Sequence, residues 1–126
     1  MSKPKIEWKK EPEAEDYDGV KNFLTLICSD AEAVQLIEHL LESDTIQRAT
    51  KDLLRAAELP LLDQSDPIVS EDLKRIHKGK ALAPVLLVRG EIKKGNPLII
   101  ADGYHRICAV YNCDESASIP CRMATR

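Results

Sequence analysis

Apolar residues recur along this chain at two different spacings, and the change from one to the other divides it. From Val20 they step by three and four: Val20, Phe23, Leu24 and Ile27 in VKNFLTLIC predict an amphipathic helix. The run SDAE carries a capping-box pattern, in which Ser29 accepts from the Glu32 amide while Glu32 reaches back. The helix it opens is predicted to bury Val34, Ile37, Leu40 and Leu41, with His39 toward its polar side. Asp44 then serves as N-cap for a third predicted helix, TIQRATKDLLRAAEL. Its stripe is Ile46, Ala49, Leu53, Ala56 and Ala57, and Arg48, Lys51 and Arg55 gather opposite. Pro60 and Pro67 bound a break, and SEDLKRIHKGK predicts a short helix from Ser70 to a stop at Gly79.

Beyond Lys80 the period shortens. APVLLVRG and PLIIA are short, apolar and rich in branched residues, with a polar turn around KKGN between them. They predict a β-hairpin covered on both faces. YHRICAVYN is again helical, and SIPCRM is a last strand with Ile119, Cys121 and Met123 on one face. Helices followed by β-β-α-β predict an α+β domain over residues 19–126, the helical N-terminal half packed on the β-β-α-β unit. Residues 1–18 offer only Ile6, Trp8 and Tyr17 as sizeable apolar groups. That is too little burial to offset chain entropy, so they read as a mobile charged tail, docked at most loosely through Trp8.

Composition narrows the function classes. The 126 residues carry 44% hydrophobic and 31% charged side chains, enough for one modest core. A net charge of -3 is the wrong sign for a protein that holds DNA by neutralising phosphates, so DNA is not an expected partner. No apolar run approaches the roughly 18–20 residues needed to cross a bilayer, and MSKPKIEWKKEPEAEDYDG lacks the apolar core of a secretory signal; a cytoplasmic location is expected. Cys28, Cys108, Cys113 and Cys121 show no C-x-x-C spacing, which predicts reduced, mainly structural thiols and no metal site.

The most informative stretch is IIADGYHRICAVY, where a strand hands over to a helix. Gly103 permits a tight turn and leaves room for a ligand to approach the backbone. The first amides of the helix lack internal partners and, with the helix dipole, favour an anion. His105 and Arg106 sit in that first turn, where the dipole disfavours cations by up to ~1 kcal/mol each unless an anion neutralises them. Arg106 suits phosphate oxygens through its planar fork, and His105 can add a hydrogen bond. Asp102 is placed to cap the helix, orient His105, or hold magnesium beside a nucleotide. Equally, Asp102 can simply cap and Arg106 pair with Asp114 or Glu115.

The run APVLLVRGEIKKGNPLIIADGYHRICAVYNCDESASIPCRM resembles the ParB/sulfiredoxin-like superfamily, in a hairpin followed by Gly-x-His-Arg opening a helix and a short x-Ile-Pro strand. The resemblance covers the last third of the chain. It implies that Gly103, His105 and Arg106 bind nucleotide phosphates, and Tyr104 belongs to the same candidate phosphate turn; the Asp-Gly-His-His-Arg of kinase members brings in Asp102. Sulfiredoxin activity is not implied, because Tyr104 stands where those enzymes have their reactive cysteine. Nor is there a match to the DNA-reading domain of ParB proteins.

Three functions follow in order. The first is a small nucleotide- or phosphate-binding module, with Arg48 and Arg55 as accessory basic groups and a protein partner as its output. The second is nucleotide-dependent phosphoryl transfer to a small hydroxyl substrate, with magnesium on Asp102 and a carboxylate drawn from Asp63, Asp66 or Glu71. The third is a non-catalytic interaction protein with a relict site.

Overall fold

The computed structural model describes residues 3–126. These form five α-helices and a four-stranded mixed sheet, an α+β architecture. In chain order they are α1 (Ala14–Leu24), α2 (Asp30–Glu42), β1 (Ile46–Ala49), α3 (Thr50–Ala57), α4 (Pro67–His77), β2 (Val85–Val88), β3 (Ile99–Asp102), α5 (Tyr104–Cys113) and β4 (Ser118–Ala124). The sheet runs β1-β4-β2-β3, with β2 parallel to β4 and the other pairs antiparallel.

The sheet is the middle of three layers. All four residues of β2 are buried, and their alternation sends Val85 and Leu87 to one face, Leu86 and Val88 to the other. The first face packs on α3, α4 and α5 through Leu53, Val69, Ile76 and Ile107. The second packs on α1 and α2 through Val20, Leu24, Leu36 and Leu40. The hairpin, the α5 helix and the last strand stand where the apolar pattern puts them.

Four expectations are corrected. Residues 3–18 are not a mobile tail, although Trp8 does anchor them: Trp8 bridges Leu82, the Lys9 amide donates to the Leu82 carbonyl at 2.8 Å, and the Leu82 amide to the Glu7 carbonyl at 2.9 Å. Ala14–Asp18 are already the first turns of α1, capped by a reciprocal Glu13–Asp16 box in place of the usual serine; Met1 and Ser2 lie outside the described residues. Secondly, Asp44 starts no helix. Ile46–Ala49 pairs with β4 as an edge strand and α3 begins only at Thr50, because the sheet offers β1 a ladder that an isolated turn of helix cannot match.

Thirdly, the Ser29 cap forms, and Leu40 and Ile37 pack inward as expected, but the rest of the inward stripe of α2 is shifted. Ala33, Leu36 and Leu40 are buried, while Val34 and Leu41 are 42% and 54% exposed; Phe23 of α1 and Ile27, in the turn after it, are likewise exposed. Both stripes are apolar, so periodicity alone does not choose between them. Lastly, α4 starts at Pro67, with the Asp66 carboxylate accepting from the Ile68 and Val69 amides, three residues before Ser70.

Candidate functional site at the β3–α5 turn

β3 ends at Asp102, the chain reverses through Gly103, and α5 begins at Tyr104. Gly103 has φ +108°, and a Cβ there would lie 2.5 Å from Val85 Cγ1. Glycine is therefore demanded twice, by the backbone angle and by contact with β2. No side chain caps α5. Its first backbone bond runs from the Ile107 amide to the Gly103 carbonyl at 2.9 Å, and among the described residues the amides of Tyr104, His105 and Arg106 meet no acceptor. Three free donors therefore lie at the positive end of a ten-residue helix.

Arg106 is engaged inside the molecule. Its Nη2 donates to Asp102 Oδ2 at 2.7 Å, and its Nη1 donates to the carbonyls of Ala83 and Pro84, the latter at 3.1 Å. The guanidinium is 15% exposed and the carboxylate 26%. The anion that offsets the unfavourable dipole of Arg106 is thus Asp102 of the same chain, and the sequence alternative of a pair with Asp114 or Glu115 does not form: Asp114 pairs with Lys3 at 3.2 Å. A register shift between Leu86 and Leu87 leaves Ala101 without a partner on β2 and brings Asp102 opposite Leu86, one position nearer α5 than a regular ladder would. Burial pushes the Asp102 carboxyl above its ordinary range, against the pull of Arg106.

His105 is half-buried, its ring centroid 5.3 Å from that of Tyr104 with a 51° tilt. The Tyr104 hydroxyl donates to the Pro60 carbonyl, which ties α5 to the α3–α4 connection. Cys108, one turn on, is fully buried, and burial raises its thiol. It is an apolar group in practice, as its spacing implied.

One acidic group was missed. Asp72 of α4 is 7% exposed, and among the described residues its carboxylate accepts from Arg75 Nη1 alone, at 3.5 Å. Burial raises its carboxyl, against the pull of nearby positive charge, Arg75 foremost, and α4 packs against α5. A signal for it existed. Val69, Asp72, Leu73 and Ile76 are spaced i, i+3, i+4, i+7, so Asp72 lies within the inward stripe of α4. The three carboxylates considered from sequence have other roles: Asp63 accepts from the Ser65 amide and hydroxyl, Asp66 caps α4, and Glu71 is exposed.

Arg48 and Arg55 do not join this turn. Arg48 sits in β1 opposite Ile119, and with Arg55 it lines a groove beside Leu87, Arg89 and Leu98. The groove meets β2 at Leu87 and Arg89, roughly 7–13 Å along the strand from Val85 at about 3.3 Å per residue, and Arg48 is separated from the turn by β4 and β2 across the sheet. Among the described residues no cluster of three or more His, Cys, Asp or Glu side chains is placed to hold a metal ion. The chain matches no protein-family model, no curated protein and no solved structure.

Proposed function

We propose that this chain is a small binding module that takes a phosphate-bearing ligand, foremost a nucleotide, at the Gly103–Arg106 turn. The supporting observation is the donor set: among the described residues, three amides without acceptors at the head of α5, beside a half-buried His105. Such a set is suited to phosphate oxygens. The resemblance to ParB/sulfiredoxin-like domains points the same way.

Arg106 has a different part from the one its position first implies. Held by Asp102 and two carbonyls, it contributes a fixed positive charge and keeps β3, α5 and the approach to β2 in register, while the amides and His105 touch the ligand. Asp102 bonds Arg106 through Oδ2 alone, leaving Oδ1 as the atom for a magnesium ion carried in with a nucleotide.

The test is thermal unfolding with CTP, ATP, ADP and GTP, each with and without magnesium. Ligand at about 100 times its Kd stabilises the folded state by ~2.7 kcal/mol. His105→Ala should remove most of that rise without lowering the melting point of the unliganded protein much. No response to any of the four nucleotides overturns the proposal.

Phosphoryl transfer to a small hydroxyl acceptor is a second reading, favoured by Asp72. A buried carboxylate on α4, the helix packed against α5, is the kind of acceptor-orienting group that reaction needs. Release of nucleoside diphosphate in the presence of polyol acceptors, lost in Asp72→Asn, would establish it.

A further inference from the structure

At the other end of the sheet, α3, β1, β4 and the β2–β3 connection enclose an open groove of about 610 Å³. That is within the roughly 300–1,000 Å³ typical of small-molecule sites. Its floor is apolar, made by Leu53, Leu87, Leu98 and Met123.

The wall is built in advance. Glu91 and Asn96 exchange backbone hydrogen bonds at 2.9 and 3.0 Å, and the Leu98 amide donates to the Ala56 carbonyl at 3.0 Å, pinning the connection to α3. Gly90 makes the close return feasible, since a Cβ there would meet the Asn96 carbonyl oxygen at 2.6 Å and the Leu98 nitrogen at 2.8 Å.

Arg48, Arg55 and Arg89 line this groove, and among the described residues none of them forms an ion pair. Among the described residues Arg89 bonds through its Nε alone, to the Thr125 hydroxyl at 3.2 Å, and its two terminal nitrogens meet no acceptor. Asp52, Glu58 and Glu91 also line it, but none of these carboxylates pairs with an arginine, and Glu91 is held by Lys94 at 3.3 Å. By contrast Arg106, at the β3–α5 turn, has its guanidinium fully engaged.

From these features we infer that the groove is a binding site, separate from the turn, for a phosphomonoester with a flat or apolar organic body. The body lies on the Leu53–Met123 floor and the dianion meets the arginines. The planar fork of each guanidinium matches two phosphate oxygens, a geometry that a phosphomonoester can satisfy at more than one arginine. An apolar floor of this size in turn discriminates against inorganic phosphate.

The experiment is an amide chemical-shift titration of the full chain with phenyl phosphate, run beside phenylacetate, inorganic phosphate and benzyl alcohol. Phenyl phosphate should move the Arg48, Ala56, Gly90 and Leu98 amides and bind more tightly than each of the other three. Arg55→Gln with Arg89→Gln alters exposed side chains and should keep the native spectrum while weakening phenyl phosphate by about tenfold or more. Shifts confined to Tyr104–Ile107 would overturn the groove site while leaving the proposal for the turn intact. Equal response to benzyl alcohol, or unchanged affinity in the double variant, would also overturn it.

Discussion

Gly103 is the residue on which the candidate site most directly depends. Its φ of +108° is one that L side chains rarely adopt, and Val85 Cγ1 occupies the space a Cβ would need. Gly103→Ala is therefore expected to lose about 1–3 kcal/mol from backbone strain alone, with more from the clash. Urea unfolding followed by circular dichroism measures this, and a loss below about 0.5 kcal/mol would mean that the turn relaxes in a way the present geometry excludes. Arg106 was legible in the sequence as the cation of this corner, but its partner was not. Its bond to Asp102 is an i, i+4 contact across the strand–helix boundary, and it depends on the shifted β2–β3 register, which no local pattern announces.

At the scale of elements, α2 is the clearest test of what holds the helical layer. Leu40 is fully buried and Leu36 nearly so, whereas Val34 and Leu41 face outward. Leu40→Ala should cost about 2–5 kcal/mol, the range for a large side chain removed from a packed core. Val34→Ser combined with Leu41→Gln should change stability by no more than about 0.5 kcal/mol per site. Equilibrium denaturation of the two variants distinguishes the phases, and the reverse order of losses would show that the helix packs on its other stripe. The strands were easier to read than this helix. In β2, burial on both faces requires continuous apolar sequence, and VLLV satisfies it without ambiguity.

On the scale of the whole molecule, two partly buried acidic groups couple folding to pH. Asp72 and Asp102 both titrate above the ordinary aspartate value of 3.8, chiefly because burial disfavours the charged form. A raised folded-state pKa means that the native state binds the proton more tightly than the unfolded chain does. The associated stability is fully present below 3.8 and is lost as pH rises through the raised values. Unfolding free energies of the wild type and of Asp72→Asn, measured across the acid range, should therefore differ by an amount that shifts against the wild type as pH increases through that window. A constant difference, or one that shifts in favour of the wild type, would remove Asp72 as a linked group. The same burial logic governs the thiols: Cys121, in the middle of β4, is pushed up to about 12, so it is a packing residue at neutral pH.

The amino-acid sequence alone determined the elements whose physical signal is local. These are the β2–β3 hairpin, the glycine turn before α5, the last strand and the Ser29 cap of α2, each set by steric freedom, side-chain alternation or a hydrogen bond within a few residues. Tertiary structure decided what depends on residues far apart. It made Ile46–Ala49 a strand by supplying β4 as its partner, drew Trp8 onto Leu82, chose between two apolar stripes on α2, and carried Arg48 and Arg55 to the groove with Arg89. Each of these outcomes is a competition between alternatives of similar local energy, and long-range burial and pairing settle such competitions.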